Sequence, residues 1–361
     1  MMKSARITVI VWCVFSAVFF LLKDSLFALL LLVCTIGVLV FGFFFVRVSG
    51  KKYEIRLSAQ PNIKKGKEAA LEVKLKNLSW IPICRCSVFI KCENMITGEV
   101  CNVPVPFGVP PKGCKTARIV LEQPFCGYVE YRAENLKIYD PLRVFEVTKE
   151  TAVCAGTYVI PEIHKISIEQ EELDAYNMES YLYSTSQKGN DVSETFGIRE
   201  YERGDSLKTI HWKLTGKMGE LMVRELGFPV ENSTMVLLDK RIEKGKMTEP
   251  GLRDKTVELF LSVSYALLEH GISYCAGWQD YKSGQFIICK IRSETELWSA
   301  MRQILESPFR EDKISTVLHY LGTENNEKFS NYIYITAGED PDEVGLERYG
   351  AVKVYRAGDN T

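Results

Sequence analysis

Residues 197–225 read GIREYERGDSLKTIHWKLTGKMGELMVRE, and no other stretch of the chain is as densely loaded with charge, glycine and aromatic character. Arg199, Glu200, Tyr201, Gly204, Asp205, Ile210, His211, Trp212, Lys213, Leu221, Val223 and Glu225 follow a spacing that neither an amphipathic helix nor an alternating strand requires. Read locally, Arg199 pairs with Glu200, Gly204-Asp205 makes a turn, and Asp205 caps a helix over 206–213. Trp212 anchors that helix against a sheet. Leu221, Val223 and Glu225 then form a strand added to one of the neighbouring sheets. Two roles fit this reading equally: a lock between domains, or a surface offered to a partner.

Two further roles fit less well. Asp205, His211, Glu200 and Lys213 include a base, an acid and a cation, the ingredients of proton-transfer chemistry. Yet no serine or cysteine nucleophile has a recognisable setting, and the four histidines, His164, His211, His270 and His319, are scattered singly. Nucleic-acid binding is the other role, since Arg199, Arg203, Lys208, Lys213, Lys217 and Arg224 interleave with Tyr201 and Trp212. Glu200, Glu202, Asp205, Glu220 and Glu225 largely cancel that charge, so little is left to neutralise phosphates. The whole chain, with 45 basic and 46 acidic residues in 361, has no global field for nucleic acid either. We therefore expect no nucleic-acid partner.

Working toward the C-terminus, Thr234–Asp239 is a short apolar run ending in an acid. A helix follows from about Lys255 to His270, with Gly271 placed to cap it. Strand-like runs at 272–277, 286–291, 332–336 and 351–355 and a helical stretch at 294–305 complete the series. Alternating strands and helices predict an α/β doubly wound, mainly parallel sheet with helices on both faces.

Working toward the N-terminus, 163–196 is polar and acidic and reads as a linker, with room for one helix. From Tyr53 to about Tyr158 the pattern changes to short alternating runs, such as 53–57, 70–75, 87–90 and 117–121. Turn residues at Pro61, Gly66, Asn77, Gly98 and Pro110-Pro111 separate them. Half-buried strands at this spacing predict an all-β, immunoglobulin-like sandwich, a module that binds or spaces. Its Cys84-x-Cys86 lacks the second tight pair of a zinc site. The 11 cysteines are an odd set, expected as small buried apolar residues in a reducing compartment.

Ile7–Leu22 and Leu26–Val46 are apolar and meet at Lys23-Asp24-Ser25, which reads as a transmembrane helical hairpin. The second run exceeds the roughly 20 residues a bilayer core needs, while the first must borrow flanking residues. A cleaved signal peptide fits poorly, because no small-x-small site precedes Lys23 and a second apolar run follows at once. Lys3, Arg6, Arg47, Lys51 and Lys52 flank the hairpin, and only Lys23 lies in its turn. Both ends are thus expected in the cytoplasm of a multi-pass cell-membrane protein, with the soluble domains inside the cell.

The Arg-Glu-Tyr at 199–201, Gly-Asp at 204–205, Ile-x-Trp-Lys at 210–213 and Leu-x-Val-x-Glu at 221–225 resemble the signature of the bacterial family called domain of unknown function 58. Asp140-Pro141-Leu142-Arg143-Val144-Phe145 is similar to that family's Asp-Pro-x-Gly-x-Phe, with Arg143 where the glycine stands. Val159-Ile160-Pro161 resembles its Val-Tyr-Pro. The resemblance implies a layout of hairpin (1–50), sandwich (51–158), polar linker (159–196), signature segment (197–230) and a von Willebrand factor A-like domain (231–361). In such a domain an Asp-x-Ser-x-Ser loop holds magnesium through hard oxygens. Here the loop reads Asp239-Lys240-Arg241-Ile242-Glu243, which keeps the aspartate, lacks both serines and adds two cations. We expect a degenerate metal site at Asp239, no cofactor and no catalytic residue. Asp239 instead pairs with a base or caps the next turn. The family's association with MoxR-type AAA+ ATPases and membrane-bound transglutaminase-like proteins implies a non-enzymatic adaptor or assembly factor on the lipid bilayer. A membrane-anchored cell-envelope enzyme is the alternative.

Overall fold

The computed structural model describes residues 2–23, 25–166, 183–201, 208, 210–229, 234–242, 249–323, 329–338 and 345–358. It divides into two compact units, 1–161 and 162–361.

The first unit opens with α1 (Met2–Leu22) and α2 (Leu26–Val48). Both are long and apolar enough to cross a membrane. Ser25 starts α2, its side chain accepting the Ala28 amide at 3.2 Å and so satisfying one of the orphan donors of a helix start. α1 starts well before Ile7, as the short first apolar run required.

A β-rich region follows, with β1 (Tyr53–Ala59), β2 (Asn62–Lys64), β3 (Glu68–Asn77), β4 (Ile83–Asn94), β5 (Val100–Val109), β6 (Cys114–Glu122), β7 (Gly127–Tyr139) and β8 (Glu146–Ile160). They form two sheets, β1-β3-β6 and β2-β8-β7-β4-β5, in which every pairing is antiparallel except β2 with β8. One apolar core lies between them. Alternation puts Leu71, Val73 and Leu75 of β3 and Val88 and Ile90 of β4 inside, where they meet Tyr131, Leu136 and Ile138 of β7. A register shift between Ile83 and Cys86 breaks β4's alternation, leaving Cys84 exposed and Cys86 buried. Burial pushes the Cys86 thiol up to about 12, which makes it an inert core residue. The expectation of buried cysteines holds for Cys86, Cys92, Cys126 and Cys275, whereas Cys84, Cys101, Cys114 and Cys154 are exposed.

In the second unit the polar stretch read as a linker differs from expectation. Its part at 167–182 lies outside the described residues, but Tyr183–Glu200 is strand β9. A strand needs a partner, and composition does not reveal one; here it is β10 (Met222–Pro229), paired antiparallel in a two-stranded sheet of its own. Between them lies α3 (Trp212–Met218).

The remaining elements are β11 (Thr234–Leu238), β12 (Arg241–Ile242), α4 (Pro250–Glu269), β13 (Tyr274–Asp280), β14 (Gln285–Ile291), α5 (Glu294–Glu306), β15 (Arg310–Glu311), α6 (Thr316–Leu321), β16 (Asn331–Thr336) and β17 (Ala351–Arg356). The main sheet runs β14-β13-β11-β16-β17, parallel except for the β13–β14 hairpin. β11 is buried along its whole length, as the central strand of a sheet covered on both faces must be. On one face Met235, Leu237, Tyr332 and Tyr334 pack with Val317 and Tyr320 of α6. α4 packs against β11 and β16. The α/β series therefore stands where the alternating pattern placed it.

Candidate functional site

The carboxyl edge of the parallel sheet is where ligands of such sheets gather, next to the point where strand order reverses. After β11 the chain passes through α4 to β13 on one side and returns through α6 to β16 on the other. Asp239 directly follows β11 at this point and is buried. One carboxylate oxygen accepts the Thr316 hydroxyl at 2.6 Å and the Arg241 amide at 3.0 Å. The other accepts the Tyr334 hydroxyl at 2.7 Å and the Thr336 hydroxyl at 3.0 Å. Burial first, then the charge of Asp239, raises the Tyr334 phenol, so it stays protonated and donates. A carboxylate offers about four acceptor directions, and all four are used.

Lys240, fully buried beside it, turns away from Asp239. Its ammonium donates to the carbonyls of Ile304, at 2.7 Å, and Ser307 at the C-terminal end of α5, where the helix dipole favours a cation. β12 pairs with β15 and lays a short two-stranded strap beside this edge. Asp312 follows, its carboxylate 2.8 Å from His319 Nε2.

This donor set does not fit a divalent cation. Among the described residues it has a single anionic group, closed on both oxygens and buried, where magnesium takes several oxygens and keeps waters. The capping role expected of Asp239 is present in the bond from Arg241. The hydroxyls of Thr316, Tyr334 and Thr336 were invisible to sequence reasoning, because they lie 77, 95 and 97 residues away and no local motif links them. Elsewhere in the second unit, Glu162, His164 and Glu258 offer ligand atoms within 4.8 Å of one another. Two contacts here dock Glu162 and His164 on α4: Glu162 N–H to the buried Glu258 carboxylate at 3.1 Å, and His164 N–H to Ser262 Oγ at 2.9 Å.

The signature segment is built by hydrogen bonds along β10. Glu200 lies opposite Met222 and Arg199 opposite Val223, the Tyr201 amide donates to Leu221 O, and Ile210 bridges Val223 from the other side. The His211 amide donates to Met222 O at 2.8 Å, and its Nδ1 accepts the Leu214 amide at 3.2 Å, so His211 caps α3. Gly219, at φ 77°, ends the helix in the left-handed region that favours glycine.

Several expectations change here. Of the helix expected over 206–213, 206, 207 and 209 lie outside the described residues; Ile210 is a bridge residue, and α3 starts at Trp212, where His211 provides the cap. Gly204 and Asp205 lie outside the described residues, as do the side chains of Arg199 and Glu225. The strand carrying Val223 starts after Leu221 and joins neither large sheet. Trp212 is not a buried anchor: it is 67% exposed, and α3 buries none of its residues. As the first residue of the helix it has no preceding turn to lie against. Ile210 and Val223 are the buried pair that holds the segment. Glu200 and Lys213 are exposed, and Tyr201 is half-buried.

Residues 197–328 match the model of the family described as protein of unknown function DUF58. No curated protein matches the chain. Among solved structures, the CARDB domain of a Pyrococcus furiosus protein is similar at 18% identity, covering 31% of this chain and 94% of its own, with a TM-score of 0.24. A β-glucosidase from Listeria innocua is similar at 14% identity over 30% of this chain and 17% of its own, with a TM-score of 0.20. A superoxide reductase (neelaredoxin) from Ignicoccus hospitalis is similar at 15% identity over 28% of this chain and 80% of its own, with a TM-score of 0.16.

Proposed function

We propose that this chain is a membrane-anchored, non-enzymatic adaptor or assembly factor that works with a MoxR-type AAA+ ATPase on the cytoplasmic side of the cell membrane. The α1–α2 hairpin is the anchor, the β-rich region an immunoglobulin-like spacer, and the second unit a von Willebrand factor A-like domain with the signature segment attached. A membrane-bound transglutaminase-like protein is the further partner that the family resemblance implies.

The observation that carries this reading is the exposure of α3. A lock between domains needs buried contacts, and α3 has no buried residue. Trp212 and Lys213 stand adjacent and exposed instead. An exposed tryptophan is the kind of residue that anchors protein–protein interfaces. The saturated shell of Asp239 supports a metal-independent version of the von Willebrand factor A-like fold, and it offers no free base for a reaction.

The test is co-purification of the full chain with the ATPase from detergent-solubilised membranes, with and without ATP. Trp212→Ala and Lys213→Ala are expected to lower ATPase recovery at least several-fold while leaving stability within about 0.5 kcal/mol, the usual range for exposed positions. Recovery equal to wild type in both variants sinks the docking role of this segment.

A further inference from the structure

Within the first unit, the end of the sandwich next to the hairpin carries a set of side chains that the adaptor reading leaves unused. α2 is 23 residues long, about 34 Å at 1.5 Å per residue, slightly more than a hydrocarbon core of roughly 30 Å. Its C-terminal end at Val48 therefore reaches the headgroup layer. Gly42, six residues earlier, lies roughly 9 Å deeper along the helix.

The β7–β8 turn, Asp140–Phe145, is packed at that depth. A Cβ added at Gly42 would come within 3.3 Å of Asp140 Oδ2, and the Phe145 ring stands edge-on to Phe43 at 5.7 Å. From α1, Arg6 Nε donates to Val144 O at 3.0 Å. Leu142, exposed on the turn, lines a cleft between the two helices with Trp12, Thr35, Val38 and Leu39. The turn is rigid: Asp140 is buried and accepts the amides of Leu142, Val144 and Phe145 at 3.2, 2.7 and 2.9 Å.

A second pair of loops lies beside the helix exit. Ser49 Oγ donates to Pro82 O at 2.9 Å, and the Leu78 amide donates to Lys52 O at 3.0 Å. The Lys112 amide donates to Ser79 O, and the Lys112 ammonium sits 3.4 Å from the centre of the Trp80 ring. Trp80 is 77% exposed and Leu78 is exposed beside it. Around them are the exposed cations Arg47, Lys51 and Lys52, with Lys149 bonded to Gly50 O; Glu146 faces Arg6 on the other side at 4.0 Å. Tryptophan and lysine side by side at the end of an apolar span match the composition of a membrane–water interface, where an amphipathic ring meets headgroups and cations meet anionic lipid.

We propose that this end of the sandwich, with Leu78, Trp80 and Lys112, is seated in the headgroup layer of an anionic bilayer, while the Asp140–Phe145 turn reaches below that layer beside α2. The proposal rests on the hairpin spanning that bilayer. It makes the β-rich region a part of the membrane anchor, held at a set height and tilt, rather than a free spacer on a tether.

The test uses the full chain reconstituted in phosphatidylcholine vesicles with and without phosphatidylglycerol, with lipids brominated near or far from the headgroup as quenchers. Trp80 emission is the difference between wild type and Trp80→Phe; Trp12 within α1 reports insertion of the hairpin in both. We expect near-headgroup bromine to quench the Trp80 contribution at least twofold more than deep bromine. Phosphatidylglycerol should strengthen that quenching in wild type and leave Lys51→Gln/Lys52→Gln/Lys112→Gln unaffected. Unquenched Trp80 in vesicles where the tryptophans of Trp80→Phe are quenched overturns the proposal and leaves the anchor standing. No quenching in either protein overturns the anchor, and the proposal with it.

Discussion

Arg143 shows how much a single position can carry. It occupies the place where the resembling family has glycine, and its φ is 58°, in the left-handed region. A side chain there costs roughly 1–2 kcal/mol in steric conflict with the following carbonyl. Arg143→Gly is therefore expected to raise the stability of the first unit by about 1 kcal/mol, read as an increase in Tm of the detergent-solubilised chain. A fall in Tm would mean that contacts of the arginine side chain outweigh the backbone strain. Asp239 makes the opposite case, a position whose surroundings suit it. Tyr334→Phe removes one of four donors from a buried carboxylate and is expected to cost about 1–3 kcal/mol. Millimolar magnesium or manganese should leave the Tm of wild type unchanged; a shift abolished by Asp239→Ala would reverse the assignment of that shell.

At the scale of elements, short helices and straps depend on caps and carboxylates more than on propensity. Asp280, at the end of β13, would be raised by burial, but the hydroxyls of Ser283 and Ser307 and the amides of Lys282 and Ser283 outweigh this and lower it. Asp312 would likewise be raised by burial, and the Ile314 amide, His319 and Tyr281 bring it below the ordinary range. A carboxyl with a lowered folded pKa contributes stability above its unfolded value, about 3.9 for aspartate. That contribution is lost as pH falls through the folded value. Asp312→Asn is thus expected to lower Tm near neutral pH, with the difference from wild type shrinking below about pH 4. A difference that stays constant down to the acid limit would show that the carboxylate's charge plays no part. The same scale explains the signature segment. Val223 was legible as part of a strand, whereas Ile210, read as part of a helix over 206–213, is a bridge residue buried with it. The start of α3 is set by the His211 side chain, a cap that the sequence reading did not single out.

For the molecule as a whole, orientation in the membrane is the property on which the others depend. From the basic flanks of the hairpin, we expect both ends of the chain in the cytoplasm. A reporter active only outside the membrane, fused after Thr361, is expected to be silent, and the same reporter placed in the Lys23–Ser25 turn to be active. Activity of the first fusion would put the exposed Cys84, Cys101, Cys114 and Cys154 in an oxidising compartment and open them to disulfide formation.

The sequence by itself determined the elements whose signal is local and repetitive. The apolar hairpin, the alternating strands of 53–158 and the strand–helix series after Thr234 each declare themselves through a period or a length that water and bilayer impose on any chain. Tertiary structure alone decided whatever depends on residues meeting across the fold. Strand β9 emerged from a polar stretch because β10 supplied its hydrogen bonds. The hydroxyls that close around Asp239 came from three distant positions. Trp212, the most conspicuous residue of the most conspicuous motif, was left in solvent because the helix it begins has no preceding turn to bury it. Burial is a property of the neighbours, and neighbours far apart in sequence leave no period to read.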